Sequence, residues 1–154
     1  MEFIFDRNIL DVARAKELRK KAVETGYSSF TEEEKAEWDN GLKGALNYTD
    51  LNRIEGNCKV LSELIGMEIT TKTGWTLQDI PTVQEFNRIR DNIEILKTCA
   101  YTPYNVLDTP EAPLNTYQKI NDIEKILYDI YTTYISSREG SRKLAFRLGR
   151  REEF

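Results

Sequence analysis

Four side chains that could bind a metal ion or take part in acid–base chemistry lie within the stretch 47–57, NYTDLNRIEGN. They are Asp50, Asn52, Glu55 and Asn57. Oxygen ligands at short spacing could hold calcium, but a calcium loop of the EF-hand type needs an oxygen ligand at its fifth position and glycine at its sixth. Counted from Asp50, those positions are Ile54 and Glu55, so the spacing does not fit a calcium loop.

The same stretch is typical of the beginning of a helix. Thr49 is the predicted N-cap, because a threonine oxygen accepts from the unpaired amides of a first turn. Apolar residues then recur every three or four positions, as on one buried helix face. They are Leu51, Ile54, Cys58, Leu61, Leu64 and Ile65. We therefore predict a capped helix whose polar residues form a solvated or partner-facing surface, and no metal site.

Motifs for catalysis are missing from the chain. It has no histidine, which excludes Ser-His-Asp and Cys-His arrangements. It also lacks the glycine-rich phosphate-binding motifs and the G-x-S-x-G motif. The two cysteines, Cys58 and Cys99, lie in predicted helices without a C-x-x-C motif and are expected to be buried free thiols. The sequence predicts a protein that is not an enzyme, with no catalytic residue, cofactor or metal.

Composition and charge narrow the possible partners. The chain has 154 residues with a net charge of −4, which gives no general attraction to nucleic acid or to anionic membranes. No apolar run approaches the roughly 18 residues that a membrane span requires. The N-terminal sequence MEFIFDRNIL lacks the pattern of a secretion signal. We expect a protein that is made and used in a cytoplasm, or in a particle assembled there.

Helix caps divide the chain into four or five helices. Capping pairs with a polar residue followed three positions later by an acidic or amide residue mark four of the helix starts. They are Asn8 with Asp11, Thr31 with Glu34, Thr82 with Glu85, and Asn115 with Gln118. The prediction is a mainly α, bundle-like domain over residues 1–136. A minor β element is predicted from MEFIF at the N-terminus, MEITTK at 67–72 and the C-terminal segment.

The C-terminal segment 137–154 differs in charge from the rest of the chain. It carries six Lys or Arg against three Glu, a net charge of +3, which leaves −7 for the other 136 residues. Apolar residues alternate with basic or small ones, which predicts a strand with one buried face. We expect a basic arm that docks in cis or on a neighbouring subunit. Its predicted partner-binding residues are Arg142, Leu144, Phe146, Arg147 and Leu148.

Trp75 is the remaining candidate for partner binding, in the loop sequence KTGWTLQDIPT at 72–82. An exposed tryptophan can anchor a partner. The alternative is that the ring folds over the end of the sheet and the start of the fourth helix, as a lone loop tryptophan more often does, since its large area is costly to leave in water. The sequence leaves both interpretations open.

Three stretches together resemble a family of small proteins encoded in phages and prophages of Gram-positive bacteria. The stretches are FDRNILDVARAKEL, TEEEKAEWDNGLKGALNYTDLNRIEGN and TGWTLQDIPTVQEFNRIRDNI. The resemblance covers roughly residues 3–97 and is strongest in GLKGALNYTDLNRIE and in W-T-x-x-D-I-P-T, whereas residues 137–154 depart from the family's usual ending. Family members are tail-associated or minor structural proteins whose genes lie among tail, baseplate and fibre genes.

The resemblance implies a virion component: a non-enzymatic adaptor or decoration subunit in a phage tail, baseplate or fibre. Its partners would be other phage structural proteins and further copies of itself, with no nucleic acid and no membrane. The alternative is a phage-encoded intracellular effector that binds a host protein or a small ligand. The first hypothesis expects the protein in purified particles, and the second expects a soluble small oligomer that is absent from them.

Overall fold

The computed structural model describes the backbone of residues 1–100 and 106–149 and the side chains of residues 1–98, 100 and 106–138. The described chain is mainly helical, as predicted. Its helices are α1 (Ile9–Thr25), α2 (Glu32–Asp39), α3 (Tyr48–Ile65), α4 (Val83–Cys99) and α5 (Tyr117–Gly149), with a short 3-10 turn at Tyr27–Ser29.

No strand is present in residues 1–100 and 106–149, so the predicted minor β element is wrong. The segments expected to pair as strands are instead bound by side chains of the helices. The Ile4 N–H donates to the Glu124 carboxylate at 2.7 Å, and the Lys72 N–H donates to the Glu55 carboxylate at 2.6 Å. A buried backbone amide needs an acceptor, but the acceptor need not belong to a strand. Side chains of the helices therefore accept the hydrogen bonds that a neighbouring strand would otherwise accept.

The predicted strand in the C-terminal segment is also wrong, because α5 continues without a break to Gly149. Extending an existing helix adds one hydrogen bond for each residue that is fixed, whereas a new strand needs a partner. The intended partner, MEFIF, is already bound by side chains of α3 and α5. Residues 143–148 are Lys, Leu, Ala, Phe, Arg and Leu, most of which favour helix.

Capping pairs position the helix starts largely as predicted. Asn8, Thr31 and Thr82 cap α1, α2 and α4, each with the acidic residue three positions later bound to the cap's own N–H. The predicted cap of α3 is wrong: helix α3 begins after Asn47, and Asp50 accepts from the Asn47 N–H at 3.0 Å. Thr49 lies inside the first turn instead.

The start of α5 also differs from the prediction. The Thr116 hydroxyl accepts from the Lys119 N–H at 3.3 Å, so Thr116 occupies the position expected for Asn115. The shift is one residue, and it arises because a serine, threonine or asparagine can each serve as the first acceptor of a helix.

Thr82→Ala is expected to lower the free energy of unfolding by about 1 kcal/mol, the usual cost of losing a side-chain cap. The substitution removes the hydroxyl that accepts from the Glu85 N–H at 3.3 Å. Thr49→Ala is the matched control, since that exposed side chain lies in the first turn of α3 and should change stability by only a few tenths of a kcal/mol. Urea denaturation of both variants measures the difference. If Thr82→Ala cost no more than the few tenths of a kcal/mol expected for Thr49→Ala, Thr82 would not be the cap of α4.

The main core lies between α3, α4 and α5. Apolar residues at three- and four-residue spacing on all three helices are buried in it, together with Trp75 and Leu114 from the connecting segments. The helix residues are Leu51, Ile54, Cys58 and Leu61 from α3, Phe86, Ile89, Ile93 and Leu96 from α4, and Ile120, Ile123, Ile126, Leu127 and Ile130 from α5.

A second, smaller core lies between α1, α2 and the loop that leads to α3. It contains Leu18, Phe30 and Leu42, with Trp38 packed against it. The Phe30 and Trp38 rings meet edge to face, with their centroids 5.4 Å apart. These apolar contacts hold α1 and α2 against the loop that leads to α3.

Candidate functional site

The polar stretch of α3 is structural, so the prediction of a solvated or partner-facing surface is wrong. Asp50, Glu55 and Asn57 are buried, and Asn52 is half-buried. The N-terminal segment and the loop before α4 cover them. Each of the four therefore binds another part of the chain.

Asp50 belongs to a buried cluster of two arginines and two carboxylates. Arg7 Nη2 lies 2.8 Å from Asp50 Oδ1 and 3.2 Å from Glu124 Oε1, and Arg53 Nη2 lies 2.6 Å from each of the same two oxygens. The charges balance, as buried ions require. Burial alone would lower the pKa of Arg53, but its hydrogen bonds to Glu124 and Asp50 outweigh burial and raise it.

Glu55 holds the loop before α4 against the helix. Its carboxylate accepts from Trp75 Nε1 at 2.9 Å, from the Lys72 N–H at 2.6 Å and from Arg88 Nη2 at 2.5 Å. The indole of Trp75 is buried in the main core. A buried ring presents no surface to another protein. Trp75 is therefore a core residue, and its prediction as a partner-binding residue is wrong.

Asn52 fixes the backbone on either side of the Trp75 side chain. Its side-chain oxygen accepts from the N–H groups of Gly74 and Trp75, at 3.0 and 2.8 Å, and its amide donates to the Trp75 carbonyl at 2.9 Å. Gly74 has a φ of 108°, a backbone conformation that favours glycine. The chain therefore leaves Trp75 in a defined direction.

The turn that follows, residues 76–83, is held by its own polar side chains. Asp79 accepts from the Thr76 N–H and hydroxyl, at 2.7 and 2.8 Å. Lys72 Nζ binds Asp79 at 3.0 Å and Glu85 at 3.3 Å, and it lies 3.7 Å from the centre of the Trp75 ring. These bonds fix the backbone of the turn.

Three apolar side chains point outward from this turn. Leu77 is 79% exposed, Ile80 86% and Val83 57%. Single exposed apolar residues are common, but three within seven positions on a fixed backbone are typical of a contact surface. We name Leu77, Ile80 and Val83 the apolar turn. It is the candidate functional site.

The Asp79 carboxylate should make stability depend on pH in the acid range. Hydrogen bonds from the Thr76 side chain and backbone, and then Lys72, lower its pKa from 3.8 to about 2. A group whose pKa is lowered on folding stabilises the protein above its unfolded pKa and loses that effect as the pH falls through its folded pKa. We expect Asp79→Asn to lower the melting temperature at pH 7, with the difference from wild type shrinking between about pH 4 and pH 2. A difference that is constant over this range would contradict the prediction.

A cleft of about 390 Å³ opens beside the apolar turn. Leu77 forms one wall, and the end of α2 and the start of α3 form the others. Trp38 and Tyr48 add aromatic surface, and Arg19 from α1 adds a positive charge. The surface beside the apolar turn is therefore concave.

The predicted partner-binding residues of the C-terminal segment lie in the last turns of α5. They are Arg142, Leu144, Phe146, Arg147 and Leu148, whose side chains are outside the described set. Their role stays a prediction. Because α5 is helical to Gly149, these residues are spread around a helix and do not line one face of a strand.

Among the described residues, no group of three or more Cys, Asp or Glu side chains is arranged to hold a metal ion. Arginine side chains already occupy the space around the buried Asp50, Glu55 and Glu124 carboxylates. Burial raises the pKa of the Cys58 thiol, which keeps it protonated and unreactive.

Comparison with known proteins identifies no relative: no family model, curated protein or solved structure matches the chain. Within the described residues, none of the helices has the length and apolar character needed to cross a membrane.

Proposed function

We propose that the protein is a non-enzymatic structural component of a phage or prophage tail, baseplate or fibre. In this proposal it acts in the virion, after assembly in the host cytoplasm, as an adaptor or decoration subunit. Its partners are other phage structural proteins and further copies of itself.

The observation that carries the proposal is the apolar turn. Its backbone is fixed by Asn52, Asp79 and Lys72, so binding would require little ordering of the chain. The turn coincides with W-T-x-x-D-I-P-T, one of the two stretches in which the family resemblance is strongest. Rigid apolar side chains that are exposed in the monomer are well suited to a permanent protein contact.

Mass spectrometry of purified particles tests the proposal, and Ile80→Lys tests the surface. Wild-type protein should be present in particles, and Ile80→Lys should be depleted about tenfold or more, because a lysine charge is costly at the centre of an apolar contact. Val23→Lys is the matched control, since Val23 is 87% exposed on α1 and belongs neither to the apolar turn nor to the lining of the cleft. Absence of the wild-type protein from particles would overturn the proposal.

The cleft beside the turn favours the second candidate, a phage-encoded intracellular effector that binds a host protein or a small ligand. Its volume of about 390 Å³ is within the usual range of small-molecule sites, roughly 300–1,000 Å³. An effector would be found as a soluble small oligomer in infected cells and not in particles. The same mass-spectrometry experiment therefore separates the two candidates.

A further inference from the structure

Residues 1–7 cross α3 and α5 as an irregular segment, which we name the strap. Side chains of the two helices hold its backbone. Asn57 donates to the Glu2 carbonyl at 2.6 Å, Glu124 accepts from the Ile4 N–H at 2.7 Å, and Asn121 donates to the Arg7 carbonyl at 2.8 Å. The groove between α3 and α5 thus binds an extended peptide.

The groove also recognises the side chains of the strap. Arg7 is buried in the four-charge cluster, bound to Asp50 and Glu124. Phe3 packs on the main core with its ring 5.6 Å from that of Tyr128. The groove therefore selects an aromatic residue and, four positions later, an arginine.

Asn8 connects the strap to α1, and the Asp6 carboxylate of the strap binds Lys43 at 2.9 Å. Asn8 has an extended backbone, with φ −138° and ψ 178°, and its capping bonds with Leu10 and Asp11 lie within α1. A rotation between Arg7 and Asn8 could lift the strap away while α1 keeps its cap and its packing. The groove residues come from α3 and α5, and none of their contacts requires the strap to belong to the same chain.

An uncovered apolar patch lies directly beside this connection. Ile9 is 63% exposed and Leu10 75%, although both are in the first turn of α1. Phe5 of the strap is also exposed and packs on the similarly exposed Tyr128, with their ring centres 5.4 Å apart. The single chain buries the strap's arginine but leaves the apolar residues on both sides of Asn8 in water.

We propose that two copies of the chain exchange straps, each placing residues 1–7 in the groove of the other. Exchange keeps every strap contact, because the same residues meet across the two chains. A reciprocal exchange also brings the two Asn8 connections side by side. Ile9 and Leu10 of both copies then cover one another, which accounts for the exposed patch. This inference rests on the self-association that is part of the proposed function. It does not depend on whether the protein is located in a phage tail.

Light scattering after size-exclusion chromatography gives the first test on the full chain. Wild-type protein should form a dimer at micromolar concentration. Leu10→Lys should raise the dimer dissociation constant about tenfold or more, the usual effect of losing an apolar anchor. Val23→Lys should leave it unchanged, since Val23 is also apolar and exposed on α1 but lies roughly 20 Å along the helix from Leu10. A wild-type monomer, or equal dissociation constants for Leu10→Lys and wild type, would overturn the proposal.

A mixing experiment separates exchange from simple side-by-side pairing. Arg7→Ala has a defective strap and an intact groove, and Asp50→Ala has an intact strap and a defective groove. With exchange, a mixed dimer contains one intact strap–groove pair and one pair that lacks both Arg7 and Asp50, in which the charges of Arg53 and Glu124 balance. Each homodimer instead contains two pairs with one unbalanced buried charge, so differently tagged variants should form mixed dimers in excess of the statistical share. Without exchange, each chain docks its own strap, and no excess is possible. A statistical mixture would overturn the proposal.

The two proposals fail in different ways. Protein that is found in particles but does not exchange straps contradicts only the exchange. Protein that exchanges straps but is absent from particles contradicts only the role in a tail.

Discussion

Glu124→Ala is expected to lower the free energy of unfolding by about 3–5 kcal/mol, the cost of breaking a buried ion pair from one side. Glu124 is fully buried and accepts from Arg7, Arg53 and the Ile4 N–H. Without its carboxylate, Asp50 alone must balance two arginines. The Ile4 amide also loses its acceptor, so the strap should detach as the protein is destabilised.

Two further variants show which part of the loss is due to charge. Glu124→Gln keeps the shape and one acceptor oxygen but removes the negative charge, and it should be intermediate. Asp129→Ala, on the same helix, breaks a pair with Lys125 near the surface and should cost about 0.5 kcal/mol or less. Chemical denaturation measures all three. Equal effects of Glu124→Ala and Asp129→Ala would show that the cluster is not buried in solution.

The helices could be predicted from the sequence because their signals are local. Three- and four-residue spacing of apolar side chains marked α3, and capping pairs marked α1, α2, α4 and α5 within a residue or two. The start of α3 was misplaced because Asn47 and Thr49 are both good caps. The choice depends on Asp50, which binds the Asn47 N–H at 3.0 Å.

The buried polar residues could not be predicted in the same way. Arg7 lies 43 positions from Asp50 and 117 from Glu124, and no local pattern links them. The i, i+3 pair of Asp50 and Arg53 was visible, but such pairs are common on solvated helix faces. This pair is structural because the strap covers it. The sequence predicted that residues 1–5 of the strap form a strand, so the covering could not be foreseen.

The residues of the apolar turn were not predicted as a contact surface, because the neighbouring Trp75 was chosen as the partner-binding residue of this loop. Trp75 is the largest side chain of the loop and therefore the obvious anchor, yet its indole N–H has a buried acceptor in Glu55 at 2.9 Å. Once that contact buries the ring, the smaller Leu77 and Ile80 remain exposed. Exposure depends on which side chain finds a polar partner inside, and the sequence does not show that.

Gly44→Ala should also destabilise the protein strongly, by about 3 kcal/mol or more, because it overfills a contact that cannot relax. A Cβ at Gly44 would lie 2.0 Å from the carbonyl oxygen of Asp11 and 2.4 Å from the Val12 nitrogen. Both are backbone atoms in the first turns of α1, so no side chain can move aside. The loop would have to separate from α1 and open the small core that contains Leu42.

Gly56→Ala is the matched control and should have the opposite sign. Gly56 lies within α3, and a Cβ there would meet no atom within 4 Å. Replacing a helical glycine by alanine should therefore stabilise the protein by roughly 0.5–1 kcal/mol. Thermal unfolding should show a melting temperature that falls for Gly44→Ala and rises for Gly56→Ala. If Gly44→Ala melted like wild type, α1 would not contact the loop as described, and α1 and α2 would be held to α3 by other contacts.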